Sequence, residues 1–313
     1  MRGGRGPRSS GMKRVGQVLT GAGGVYRVRT EEGDDVEAVL RGRLKKGKAR
    51  EALVVAGDRV RLSRVADGPD TVEEVLPRET ELVRRAGVGR HPKVVAANVE
   101  QALVVVSVKD PPFSSPLVDR FLAVVESNRL ECVLVVNKTD LGEPEDVDAR
   151  TAVYRDIGYR VRPVSARTGA GLDVIRELLN GRLSVLVGPS GVGKSSLLNA
   201  LDPDLELRVR EVSSRKGRGR HTTVRARIVD LAFGGQVVDT PGFSSVGLWG
   251  MEPQALDSCF PELRDLKDDC KFRSCLHRSE PACAVLSAVE EGAVDRGRYE
   301  SYLRILQELE EAE

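Results

Sequence analysis

Hydrophobic and polar positions change their period along this chain, and the changes divide it. Between residues 15 and 76 apolar and polar residues alternate in short runs: Val25-Tyr26-Arg27-Val28, Val36-Glu37-Ala38-Val39-Leu40, Arg59-Val60-Arg61-Leu62 and Val72-Glu73-Glu74-Val75. A period of two is that of a strand with one face in a core. Gly21 to Gly24, Gly33-Asp34-Asp35 and Gly57-Asp58 separate the runs as turns. Short strands at this spacing predict a small barrel of the oligonucleotide-binding (OB) type, with an SH3-like barrel as the close alternative. Residues 77–98 contain Pro77, Gly87, Gly89 and Pro92 and read as a linker.

From residue 99 to 248 the pattern becomes α/β. Strands are predicted at Ala102 to Val108, Cys132 to Val136, Tyr159 to Val164, Leu183 to Val187 and Gln236 to Val238, the first of them buried and the one at 183–187 an apolar run that suits a buried parallel strand. Helical spacing lies between them at Leu117 to Val125, Val147 to Asp156, Leu172 to Leu179 and Ser195 to Leu201. Ser114-Ser115-Pro116 opens the first, with proline at a favoured first-turn position. Strands alternating with helices imply a parallel sheet with ligands at its carboxyl ends. Residues 249–313 form a last segment, in which Tyr299, Tyr302, Leu303, Leu306 and Leu309 recur at helical spacing and predict a core-facing stripe. The fold class is therefore multi-domain α/β: a barrel, a linker, a nucleotide-binding domain and a C-terminal helical segment.

Charge adds a partner class. The 313 residues are 31% charged and 40% hydrophobic, which fits globular domains rather than a disordered chain. No apolar run approaches a membrane span. Residues 1–14 are basic and glycine-rich with no apolar stretch behind them; they read as a flexible tail, and the chain as cytoplasmic. The net charge of +2 is unevenly spread: residues 1–50 hold 13 Lys/Arg against 5 Asp/Glu, residues 208–227 hold 8 against 1, and residues 252–313 hold 8 against 15. Two basic blocks point to a polyanionic partner. The loop Arg41 to Lys48 either tracks a phosphate backbone or is an ordinary soluble loop.

The chemistry begins at Gly188-Pro189-Ser190-Gly191-Val192-Gly193-Lys194-Ser195, a G-x-x-x-x-G-K-S phosphate-binding loop between an apolar strand and a helix that continues with Ser196. Glycines let the backbone N–H groups and the helix N-terminus face an anion. Lys194 would reach the β- and γ-phosphates, and Ser195 would place its hydroxyl on magnesium. Asn137-Lys138-Thr139-Asp140 follows a strand directly. Its Asp140 carboxylate can accept from the ring N–H and the amine of guanine, a donor pair adenine lacks. Asn137 can tie this loop to its neighbours, and the Lys138 stem can lie along the base. Ser165-Ala166 would bring the Ala166 N–H to the guanine oxygen. In Asp239-Thr240-Pro241-Gly242, Asp239 can hold magnesium through water and the Gly242 N–H can sense the γ-phosphate. In Arg218-Gly219-Arg220-His221-Thr222-Thr223, either Thr222 or Thr223 would ligate magnesium.

The base-reading motifs at 137 and 165 precede the phosphate loop at 188, whereas in ordinary GTPases they follow it. The same sheet can be built if the chain is circularly permuted within the domain. Gly242 is followed by Phe243, which cannot hydrogen-bond the attacking water as a glutamine does there in Ras-like GTPases. His221 is the nearest candidate for that role; the alternative is a solvated histidine in a basic loop.

Downstream, Cys270, Cys275, His277 and Cys283 have the pattern C-x4-C-x-H-x5-C. Three thiolates and one imidazole complete a closed, tetrahedral, structural zinc site. Cys132 falls in a predicted strand and Cys259 outside the cluster spacing.

Taken together, the permuted order, the Gly-Arg-His-Thr-Thr segment, the barrel and the Cys-Cys-His-Cys cluster resemble the ribosome small-subunit-dependent GTPase A family. Val94 to Asn98 and Val118-Asp119-Arg120 fit it too. Val224 stands where that family often continues the threonine run, and Ala38 replaces a frequent cysteine. The resemblance implies late maturation of the small ribosomal subunit, binding of its rRNA through the barrel, hydrolysis of GTP to GDP with magnesium, one zinc per chain and a catalytic role for His221 beside Lys194, Thr222 and Thr223. A monomer is the default. Two other readings stand beside it: an RNA-binding scaffold in which GTP is only a structural ligand, and a metabolic P-loop kinase or ATPase with a barrel attached, against which Asp140 speaks.

Overall fold

A computed structural model describes residues 13–41, 54–65, 68–84, 93–205, 226–239 and 251–311. The first five strands are β1 (Lys13–Ala22), β2 (Val25–Thr30), β3 (Asp35–Leu40), β4 (Arg59–Ser63) and β5 (Asp70–Val75). They close into a barrel in the order β1-β2-β3-β5-β4, with β1 antiparallel to both β2 and β4 and β3 parallel to β5. This closed five-stranded barrel is of the OB type. Val18, Val28, Ala38, Val60, Leu62 and Val72 fill it. Strand β1 is absent from the alternation pattern. Gly16 interrupts it, and the register shifts between Val18 and Thr20. A Cβ at Gly16 would lie 2.6 Å from the Arg29 carbonyl oxygen, so the glycine that hides the strand also lets it pair.

The stretch read as a linker holds a hairpin, β6 (Glu81–Arg84) against β7 (Lys93–Ala97). It is fastened to the barrel. Ala96 bridges to Ala56, and the Arg78 guanidinium grips buried Asp58 at 2.7 and 3.0 Å. Gly57, at φ 90°, passes so close to Ala97 that a Cβ would lie 1.9 Å from its carbonyl oxygen.

The α/β domain runs β8 (Gln101–Ser107), α1 (Ser115–Ser127), β9 (Glu131–Asn137), α2 (Pro144–Asp156), β10 (Arg160–Pro163), α3 (Leu172–Leu179), β11 (Leu183–Val187), α4 (Lys194–Leu201), β12 (Arg227–Asp230) and β13 (Gln236–Asp239). The sheet order is β10-β9-β8-β11-β13-β12, parallel except for β12. Val104, Val106, Val136 and Val185 pack on one face with Phe121, Leu122 and Val125 of α1. Leu103, Val105, Val133 and Val135 pack on the other with Leu172, Ile175, Leu197 and Leu201 of α3 and α4. Each such side chain contributes about 1.5–3 kcal/mol by leaving water. Edge strand β12, only Arg-Ile-Val-Asp, is too short and too charged at its ends to stand out as a period.

The C-terminal segment contributes α5 (Pro261–Arg264), α6 (Ala284–Glu290) and α7 (Arg296–Glu310). Tyr299, Tyr302, Ile305, Leu306 and Leu309 of α7 are buried, with Leu303 packed beside them. The segment is pinned to α1 by Arg298, only 2% exposed. Its guanidinium donates to both Glu262 oxygens at 2.7 and 3.1 Å and to Asp119 Oδ1 at 2.9 Å. It also lies 4.7 Å from the Phe260 ring centroid. Tyr154 Oη donates to the same Asp119 oxygen at 2.9 Å. Burial pushes the Asp119 carboxyl above its usual range, against the pull of Arg298.

Removing one partner of a buried ion pair strands the other's charge. Arg298→Met, which strands the buried Asp119 and Glu262 carboxylates, should therefore cost about 3 kcal/mol or more in urea unfolding. Arg120→Ala, at the more exposed pair with Glu308 (2.6 Å), should cost at most about 1 kcal/mol. Equal costs for the two would show that Arg298 is not the pin.

Candidate nucleotide site and metal centre

The phosphate loop leaves the sheet at its centre, between β8 and β13. Gly188 presses on β8, where a Cβ would lie 2.0 Å from the Val105 carbonyl oxygen. Val192 is buried and anchors the loop's middle, while Pro189 is half-buried and Ser190 exposed. Gly191 and Gly193 both have positive φ, 85° and 93°. Lys194 folds back across the loop, donating to Gly188 O at 2.6 Å and Pro189 O at 2.7 Å. Burial lowers its pKa. Ser195 and Ser196 are exposed in the first turn of α4.

Three loops meet at Asn137, the buried last residue of β9. Its Nδ2 donates to Val192 O at 3.0 Å, and its Oδ1 accepts from Ala166 N at 3.1 Å. Lys138, in the left-handed region at φ 60°, donates from Nζ to Gly191 O at 2.8 Å and to Asp110 O. Thr139 Oγ1 donates to Val164 O at 3.0 Å. Asp140 accepts from Ser165 Oγ at 2.5 Å and pairs with Arg167; the Ser165 hydroxyl first, then the Arg167 charge, hold its carboxyl below the usual range. The fold thus gathers 137–140, 165–166 and 188–196 at one end of the sheet. Arg167 was not a candidate in the sequence, where it is one more exposed cation beside a glycine-rich turn.

Asp239 ends β13 on the side of the sheet that carries α4. Val237, two residues earlier on the same face, packs with Leu197 and Leu201. Arg227 Nε donates to Asp239 Oδ2 at 3.0 Å. His221, Thr222, Thr223 and Gly242, like Phe243 and the loop beyond Arg41, lie outside the described residues.

In the C-terminal segment the ligand atoms of Cys270, Cys275, His277 and Cys283 lie within 4.8 Å of one another, and no disulfide joins the cysteines. Cys270 Sγ and Cys283 Sγ are 3.8 Å apart, and His277 Nδ1 is 3.6 and 3.4 Å from them. A tetrahedron with Zn–S near 2.3 Å and Zn–N near 2.05 Å has edges of about 3.8 Å and 3.6 Å. The donor set fits a zinc ion. Burial pushes the Cys275 thiol up to about 12, so a cation is what would keep it a thiolate near neutral pH. His277 Nε2 faces Asp257 Oδ2 at 3.6 Å. Glu280 accepts from Leu276 N, Arg278 N and Ser279 N at 2.7 to 3.0 Å, tightening the ligand turn. Tyr299 and Tyr302, read only as core, donate from their hydroxyls to His277 O at 2.7 Å and Leu276 O at 3.1 Å. Helical spacing revealed the rings but not these bonds. Asp257, 13 residues before Cys270, gave no signal at all.

On the barrel the described strand arginines are paired with carboxylates, Arg14 with Asp70, Arg27 and Arg29 with Asp35, Arg59 with Glu31 and Arg61 with Glu74, and Arg41 just after β3 pairs with Glu73. Arg29 also crosses to Asp230 of β12 at 2.7 Å.

Comparison with known proteins places this geometry. The family model described as RsgA GTPase matches residues 75–249. A protein of Gemmatimonas aurantiaca named small ribosomal subunit biogenesis GTPase RsgA is 46% identical over 94% of this chain and 97% of its own length. The protein of that name from Moorella thermoacetica is 44% identical over the same shares. Among solved structures, YjeQ from Thermotoga maritima superposes with a TM-score of 0.78 at 35% identity, covering 95% of this chain and 99% of its own. YloQ, titled a circularly permuted GTPase, gives 0.77 at 32% identity over 99% of both chains. A family model matching more than half the chain and relatives alike along almost its full length lead to one conclusion: the chain belongs to the RsgA GTPase family.

Proposed function

We propose that this chain binds and hydrolyses GTP as a step in late maturation of the small ribosomal subunit, and that it works in the cytoplasm as a monomer. The observation that carries the reading is the junction at Asn137, which fixes a guanine-type base loop against a phosphate loop. The names of the relatives supply the ribosomal setting. Among the described residues no helix is long and apolar enough to cross a membrane.

In this reading Asp140 accepts from the guanine edge, with Ala166 N–H beside the base oxygen and the Lys138 stem along the ring. The backbone of 188–193 and Lys194 surround the phosphates. Ser195, Asp239 and either Thr222 or Thr223 would hold a magnesium ion, which supplies positive charge to the β- and γ-phosphate oxygens. Gly242 would sense the γ-phosphate. His221 is the proposed catalytic residue, since Phe243 cannot orient water. Cys270, Cys275, His277 and Cys283 would hold one zinc, with no open position and hence a structural role. The paired arginines of the barrel wall leave the basic loop after Arg41 as its proposed contact with rRNA.

The decisive assay measures GTP hydrolysis with and without small ribosomal subunits. Stimulation on the order of a thousandfold is expected, by analogy with other GTPases completed in trans. It should fall as salt rises, because phosphate contacts release counterions. His221→Ala should lower the stimulated rate while leaving GTP affinity nearly unchanged. Turnover by the free protein as fast as in the bound state would refute the need for the subunit.

Asp140→Asn should weaken GTP binding and favour xanthosine triphosphate, because the amide donates where xanthine presents a carbonyl. Unchanged preference in a competition titration would remove Asp140 from base reading.

Native mass spectrometry should show one zinc per chain. Cys275→Ser should lose it and destabilise the C-terminal segment, since metal-binding free energy is folding free energy there. A folded, metal-free wild-type chain would contradict the zinc assignment.

A further inference from the structure

Strand β12 brings one cation to the nucleotide end of the sheet that none of the motifs contains. Arg227 and Asp239 are direct register partners in the antiparallel β12–β13 ladder. Directly opposed residues in such a ladder project to the same face. Here that face is the one bearing α4, where Val229 and Val237 pack with Leu197 and Leu201. Both side chains are about one-third exposed, at 34% each, so neither is a freely solvated surface charge.

An aspartate at the end of a strand rotates broadly about χ2. A carboxylate that accepts a metal-bound water needs one oxygen aimed at that water. Arg227 Nε, 3.0 Å from Oδ2, engages one of the two oxygens with a charge-assisted bond and narrows that rotation. Oδ1 is then the oxygen left for other partners. Parallel neighbour β11 runs beside β13 and opens into the phosphate loop, with Ser195 in the first turn of the helix behind it. The Arg–Asp ladder pair and the magnesium-binding hydroxyl proposed above therefore share one face and one end of the sheet.

We infer that Arg227 is a positioning residue for magnesium: it holds Asp239 through Oδ2 so that Oδ1 accepts from a water on the ion. This rests on the reading of Asp239 as a magnesium partner. Arg227 acts through Asp239 and touches neither nucleotide nor metal. Partners of this outer kind typically change metal affinity by 10- to 100-fold when removed.

The test is a magnesium titration of the full-length protein loaded with a fluorescent GDP analogue, reading the free magnesium concentration that half-maximally slows release. Arg227→Met should raise that midpoint about tenfold or more. Affinity for the analogue in excess chelator should stay as in the wild type, because the base and phosphate loops are untouched. Arg227→Lys keeps a cation and a donor and should recover most of the loss, a rescue that a bulk packing role would not give. Asp239→Asn is run in parallel. If it raises the midpoint and Arg227→Met does not, the inference about Arg227 is overturned and the magnesium reading of Asp239 survives. If neither variant moves it, both are overturned. A midpoint that falls in Arg227→Met would make Arg227 a competitor of the metal and would also overturn the inference.

Discussion

The nucleotide end of this molecule depends on one buried amide. Asn137 is sealed from water, so leaving either of its polar atoms unpaired would cost about 1–3 kcal/mol. Its two ends are satisfied by main-chain groups of two different loops, at Val192 and Ala166. Base loop, phosphate loop and the Ser165-Ala166 turn are thereby held in one arrangement. The same amide constrains its neighbour: a Cβ at Gly193 would lie 2.5 Å from Asn137 Nδ2, so glycine is required by side-chain packing as well as by φ. Lys138 adds a second tie from base loop to phosphate loop through Gly191 O.

Permutation decides what hangs from that end. The chain enters the domain at the start of β8 and leaves it at the end of β13, and the strands run parallel, so entry and exit lie at opposite ends of the sheet. The barrel and its hairpin are attached on the entry side and the Cys/His cluster beyond the exit. The exit segment starts at Asp239, so the residue proposed to hold magnesium also begins the connection to the C-terminal segment. That segment is not free to drift, because Arg298 ties it back to α1 through Asp119.

Motifs with local spacing were legible in the sequence because their chemistry is local. The phosphate loop, the Asn-Lys-x-Asp loop and the four zinc-type ligands each sit in a short window, and the apolar periods around them marked the strands and helices correctly. Whatever depends on residues far apart was not legible. Strand β1 is hidden by Gly16, whose reason is the Arg29 carbonyl oxygen across the barrel. The hairpin β6–β7 lies among prolines and glycines that read as a linker. Arg298 looks like one more charge on a polar helix until Asp119, 179 residues away, is placed against it. Asp257 and Arg227 acquire meaning only from the His277 and Asp239 side chains that face them.

Strand β12 pairs with β13 on one side, and among the described residues no strand pairs with the other. β12 lies against barrel strand β1, and Arg29 of neighbouring β2 reaches its Asp230. An open edge offers a row of unsatisfied N–H and C=O groups to any passing chain. Contact with β12 therefore sets the barrel at one of the two edges of the central sheet, the other edge being β10.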